Sequence, residues 1–212
     1  MSLCLVCALC GGILSAFSNS GGKNSTAQQN GVSHTAAPSG PTATHGPTAT
    51  PTPSYAHFGD GTFEVGKDIQ PGTYRTRSGS DGCYYERLKG FDGTFEEIIS
   101  NNNTDDPAVV TIAASDKGFH SQNCGTWTQN VSQITKSQTE FEDGMYIVGT
   151  DIQPGTYKNS GGDGCYYARL RGFGNGFGDI IANANPSGNA IVTIKASDKG
   201  FQSTRCGTWT KQ

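Results

Sequence analysis

The sequence predicts an all-β chain of two tandem small β-sandwich or barrel-like modules, and three observations lead there. The first is a repeat. Phe58–Gln129 and Phe141–Gln212 align nearly end to end, with one residue fewer in the second copy after Tyr157. The second is a set of short β-branched and aromatic runs separated by Gly, Asn, Asp and Ser clusters, the spacing of small all-β folds. The third is cysteine placement. Cys83 and Cys124 in the first copy match Cys165 and Cys206 in the second, with the same separation.

The repeat is long enough to exclude a coincidence of short motifs. Roughly three in five positions agree from Val65 and Val148 onward, through phrases such as "DGCYY", "VTI", "ASDKGF" and "CGTWT". Within each copy the strand candidates run in order. "TFEV" and "MYIV" come first, then "TYRTR" and "TYKNS", then "CYYERL" and "CYYARL". "AVVTIAA" and "AIVTIKA" are the most apolar, and "CGTWT" closes each copy. "FEEIISNNN" could start a helix, but its length and its Asn run favour strand and turn. "DIQPGTY" at Asp68–Tyr74 and Asp151–Tyr157 reads as a type II turn, with Pro setting φ and Gly accepting a positive value. Ile69, Tyr74, Ile152 and Tyr157 would then pack inward, and Asp68 and Asp151 would accept backbone N–H bonds.

One Cys pair per copy implies one disulfide per module and an oxidising compartment; the competing reading is four reduced, buried thiols. A thin-cored unit near 70 residues needs a staple, and closing such a loop contributes about 4 kcal/mol in the chain-entropy model.

Upstream, residues 1–18 form an apolar leader. "LCLVCALCGGILSAF" carries no charge and is short for a membrane span, but it suits the apolar region of a signal peptide. The alternative is a lipid anchor on Cys10, which Gly11 and Gly12 follow. Membrane contact is expected only through this leader or its lipid. Residues 19–57 are rich in Thr, Pro, Ala and Ser and predict a disordered stalk, because they bury too little apolar surface to offset ordering entropy. Residues 58–129 form the first module, 130–140 a short polar linker, and 141–212 the second module.

Chemistry is sparse. The net charge of −3 disfavours a nucleic-acid partner. His34 and His45 lie in the stalk, His57 ends it, and His120 is matched by Gln202, so no histidine-based triad is common to both copies. Two cysteines per copy without a repeated His argue against a metal, and the chain is expected to need no cofactor. Asp116 and Asp198 are candidates for a glycosidase-like role, but modules of this size hardly hold a deep cleft. A calcium site in "NNNTDD" would be private to the first copy. No catalytic residues are therefore assigned.

Binding candidates are the shared residues with most side-chain character. They are Tyr85, Arg87 and Trp127 in the first copy, and Tyr167, Arg169 and Trp209 in the second. Strand alternation puts Tyr85 and Arg87 opposite Leu88; if Leu88 marks the core, they face solvent. The competing reading packs the Tyr and Trp rings around the disulfide. Phe58–Gln129 carries six basic and eleven acidic residues, against seven and six in Phe141–Gln212. The copies therefore differ in surface charge, and they could dock on one another.

The phrases "VGKDIQPGTY", "GCYYERL", "VTI…SDKGF" and "CGTW", with their second-copy versions, resemble a module of secreted proteins and lipoproteins of actinobacteria. The resemblance covers about two-thirds of the chain. It implies an extracellular or cell-envelope location and no established enzymatic activity. The expectation is a non-enzymatic tandem-module protein that binds a cell-wall glycan or an extracellular protein. A secreted enzyme inhibitor is the alternative, and a small carbohydrate-active enzyme comes third.

Overall fold

Each copy folds as two facing four-stranded antiparallel sheets. The structure, a computed structural model, describes residues 54–212. The leader with Cys10, His34 and His45, and nearly all of the Thr/Pro-rich segment lie outside the described residues. In the first module the strands are β1 (His57–Phe58), β2 (Gly61–Glu64), β3 (Gly72–Arg75), β4 (Cys83–Leu88), β5 (Ile98–Thr104), β6 (Val109–Ile112), β7 (Gly118–Gln122) and β8 (Trp127–Thr128). In the second they are β9 (Glu140–Phe141), β10 (Gly144–Ile147), β11 (Gly155–Asn159), β12 (Tyr166–Leu170), β13 (Ile180–Ala184), β14 (Ile191–Ile194), β15 (Gly200–Thr204) and β16 (Trp209–Lys211). The sheet orders are β1-β8-β3-β6 and β2-β7-β4-β5, repeated as β9-β16-β11-β14 and β10-β15-β12-β13.

The sheets close on an aromatic core. Tyr74, Tyr85, Phe119 and Trp127 are buried in the first module with Ile69, Val110 and Ile112. Tyr157, Phe201 and Trp209 are buried in the second with Ile152, Val192 and Ile194. Tyr85 meets Trp127 edge-on at 4.9 Å between ring centroids, a favoured aromatic geometry. Each indole N–H has a partner: Trp127 donates to Ser121 Oγ and Trp209 to Ser203 Oγ, both at 2.8 Å. Those hydroxyls donate to Asp60 and Asp143, which also accept the backbone N–H of Cys124 and Cys206. Burial pushes the Asp60 carboxyl up, but the hydrogen bonds from Cys124, Ser121 and Gly125 outweigh it and hold it below the usual range. Cys83–Cys124 and Cys165–Cys206 are disulfide-bonded across 41 residues each.

One local reading holds and one changes. "FEEIISNNN" forms one 3-10 turn at Phe95–Glu97 and then β5. "DIQPGTY" is not a type II turn. The hydrogen-bonded turn lies just before it, where Gly66 at φ +87° donates to the Ile69 carbonyl at 2.7 Å. The Pro-Gly pair instead leads into β3, with Gly72 at φ +155°. A Cβ on Gly72 would meet only the mobile end of the Gln129 side chain, so it is the positive φ that favours glycine there. Ile69 and Tyr74 do pack inward, and the Tyr74 hydroxyl donates to the Gln70 carbonyl at 2.8 Å.

The described residues form one compact unit, and within it the modules dock. Val109 of β6 packs with Met145, Ala168 and Leu170 of the second module. Two backbone bonds cross the joint: Met145 N–H to the Pro107 carbonyl at 2.8 Å, and Thr111 N–H to the Phe173 carbonyl at 2.7 Å. Arg75 reaches from β3 to Asp151 with two bonds of 3.1 and 3.0 Å, both side chains fully buried. Residues 130–140 are laid into this joint. Arg75 also donates to the Ser132 carbonyl, Arg77 to Asn130 and Gln133, and Ile134 N–H donates to Asp151.

Candidate functional site

The core claims most of the side chains expected at the surface. Tyr85, Trp127 and Trp209 are buried, and Tyr167 is half-buried against Phe201 and Trp209. Burial pushes the Tyr85 hydroxyl up to about 12, partly opposed by a hydrogen bond from Asn102. Arg87 and Arg169 are occupied too. Arg87 grips Asp116 with Nε and Nη2 at 2.7 and 2.8 Å, and Arg169 grips Asp198 at 2.6 and 2.9 Å. None of the six residues forms an open binding surface, which corrects the strand-alternation expectation. Alternation along β4 holds, since its pairing with β7 runs unbroken from Tyr84 to Leu88, but Leu88 does not mark the core side. Leu88 is buried on the outer face beside Tyr84, in the groove lined by Phe91 and Ile98, while Tyr85 faces the core with Cys83.

Asp116 and Asp198 are structural in the same sense. Besides its arginine, each accepts a backbone N–H, from Ala113 and Lys195 respectively. Burial pushes the Asp198 carboxyl up, and the bonds from Arg169 and Lys195 N–H override it and hold it low. These acids are spent on closing the turn before β7 and β15. In the "NNNTDD" segment Asn101–Thr104 are β5 residues, and Asp105 accepts Gly82 N–H at 2.7 Å. Among the described residues, no group of three or more His, Cys, Asp or Glu is placed to hold a metal.

A groove lies open on the outer face of the β4-containing sheet and is repeated on the β12-containing sheet. In the first module it is floored by Tyr84, Leu88 and His120 and walled by Phe91, Phe95 and Ile98, with a volume of about 410 Å³. The second has Tyr166, Leu170, Phe173, Phe177 and Ile180 in matching places and about 460 Å³. Glycine makes the floor: a Cβ on Gly118 would lie 2.5 Å from the Phe91 ring, and one on Gly200 would lie 2.4 Å from Phe173. At the rim, on the 3-10 turns, Phe95 is 89% exposed and Phe177 is 96% exposed. The signal was present in "GFDGTFEE" and "GFGNGFGD", where both Phe positions persist while most of their neighbours change.

The two grooves differ in wall and charge. The second lies at the joint, where Ile98–Asn102 of the first module supply a further wall. The first lacks that wall and is acidic, with Glu86 and Glu97 among its lining. Tyr84 donates to Glu86 at 2.5 Å, and burial followed by that bond pushes the Tyr84 hydroxyl up. Among the described residues, no helix is long and apolar enough to cross a membrane.

Comparison with known proteins agrees with this duplication. The family model described as the Rv1352-like extracellular domain matches residues 56–128 and again 138–210. The uncharacterised protein Rv1352 of Mycobacterium tuberculosis H37Rv is 32% identical over 82 residues, covering 32% of this chain and 67% of that protein. The uncharacterised protein Mb1387 of Mycobacterium bovis matches with the same identity and coverage. No solved structure matches the chain. Two tandem matches, each covering one disulfide-closed sandwich, place the chain in the Rv1352-like extracellular domain family.

Proposed function

We propose that this is an exported, non-enzymatic binding protein whose twin grooves hold a cell-wall glycan or an extracellular protein. One observation carries the reading. A phenylalanine stands almost fully exposed at the same turn of both modules, at the rim of a groove. Neither ring contributes to a core, and an exposed aromatic beside a concave apolar surface is a typical ligand anchor. Two grooves on one compact unit would also raise avidity for an arrayed ligand. The arginine-bound state of Asp116 and Asp198 supports a non-enzymatic role, since their oxygens are already occupied. Residues 3–17 would serve as a signal peptide, or Cys10 would carry a lipid anchor, with the Thr/Pro-rich segment as spacer.

The protruding Phe turns favour a second reading, a secreted inhibitor that inserts Phe95 or Phe177 into the cleft of a hydrolase. Surface plasmon resonance against cell-wall glycans and secreted proteins tests the first reading, and a hydrolase panel tests the second. Binding lost in Phe95→Ser combined with Phe177→Ser supports the groove. Silence across the glycan and protein panels overturns the binding reading.

A further inference from the structure

The joint between the modules is made by two unlike surfaces. One is an edge of the first module that presents Val109, Arg75 and Arg87. The other is the outer face of the second, which receives them at Met145, Ala168 and Leu170, at Asp151 and at the Gly174 carbonyl. Because the fold is repeated, each module carries both surfaces. A tandem uses one of each and leaves one of each open, the defining feature of a heterologous contact.

Both open surfaces retain the joint's geometry. Ile191, the counterpart of fully buried Val109, is 65% exposed. Lys158, the counterpart of Arg75, is exposed. Arg169 lacks a partner for Nη1 among the described residues, whereas Arg87 uses that atom on the Gly174 carbonyl at 2.7 Å. On the receiving side, Asp68 is held by Glu64 N–H at 2.9 Å, as Asp151 is held by Ile147 N–H at 2.7 Å, yet Asp68 is exposed. Charge is complementary as well. Glu64, Glu86 and Asp92 stand where the second module has Ile147, Ala168 and Gly174, while the opposing edge brings Lys158 and Arg169.

We infer that this open edge docks on the open face of a second copy of the chain, head to tail. Ile191 lies over Leu88 and Tyr84, Lys158 pairs with Asp68, and Arg169 Nη1 turns to the Asp92 segment. The incoming β13 then walls the first groove as β5 walls the second. The acids at Glu64 and Glu86 make this contact more polar, weaker and more salt-sensitive than the internal joint. It goes beyond the ligand reading and stands whether or not the grooves are filled.

Sedimentation equilibrium of the full chain over a range of concentrations, at low and at physiological salt, tests it. The expected average mass rises with concentration beyond two chains and falls with salt. Ile191→Asp and Lys158→Glu each weaken association about tenfold. Lys158→Glu combined with Asp68→Lys restores it. Ile191 and Lys158 are exposed, so the folds should survive, and a thermal melt of each variant checks this. A single-chain mass at every concentration in low salt overturns the inference. So does saturation at a closed dimer, or association that both Ile191→Asp and Lys158→Glu leave unchanged.

Discussion

Arg75 and Asp151 form a fully buried, two-pronged ion pair across the joint, although Asp151 belongs to the same "DIQPGTY" phrase as exposed Asp68. One motif thus has two fates. In both modules the aspartate accepts the backbone N–H four residues before it. Only the second meets a guanidinium, and it also takes Ile134 N–H, so its oxygens are satisfied without water.

Removing one partner of such a pair leaves an uncompensated buried charge, which costs about 3–5 kcal/mol. Arg75→Ala is expected to fall in that range by urea denaturation. Asp68→Ala, at the matched but exposed position, is expected to cost no more than about 1 kcal/mol. Equal losses would show that the joint does not depend on the pair.

Each disulfide closes a loop spanning 41 residues around a small aromatic core. Cys83→Ser with Cys124→Ser is expected to destabilise the first module by about 2–5 kcal/mol, and the matching change to do the same in the second. Thermal melts with and without reductant measure this, and insensitivity to reductant would contradict it.

The grooves depend on the glycine floor. Gly118→Ala puts a methyl group against the Phe91 ring, and Gly200→Ala puts one against Phe173. Each is expected to displace its ring and cost about 1–3 kcal/mol. Phe95→Ser and Phe177→Ser remove exposed rings and should change stability by less than about 0.5 kcal/mol. Losses of the first size in the Phe variants would mean that those rings are structural.

Acid should destabilise the fold through Asp60 and Asp198. Their carboxyls sit below 3.8 in the folded protein and return to that value on unfolding, so the unfolded chain binds more protons. Their contribution is complete above that value and is lost as pH falls through the lower folded values. Asp106 works oppositely, since burial and the nearby Asp143 and Asp105 charges raise it. Its contribution is present in acid and lost as pH rises through its raised folded value. Asp106→Asn is therefore expected to raise the urea midpoint at pH 7 and leave it nearly unchanged at pH 3. An unchanged midpoint at pH 7 would contradict this.

Much of this fold is legible along the chain because repeats, cysteine spacing and alternating runs are one-dimensional patterns. The sandwiches, their strands and the oxidised pairs follow from them. The joint is not legible that way. Asp151 and Asp68 sit in identical phrases, and only folding shows which meets Arg75 and which faces water. The binding surface differs from the expectation for a local reason: alternation along β4 holds, but buried Leu88 lies on the outer face, in the groove lined by Phe91, so a leucine does not mark the core side. Phe95 and Phe177 escaped notice because periodicity cannot tell an exposed phenylalanine from a core one. Their recurrence in loops that otherwise diverge was the usable clue.

Amide hydrogen exchange at Met145 and Thr111 tests the docked pair most directly, because both N–H groups donate to carbonyls of the opposite module. Protection matching the core strands β3 and β11 is expected at both positions. Exchange at loop rates there, with both sandwiches otherwise protected, would mean that the two copies are independent beads and that the buried pair does not hold them.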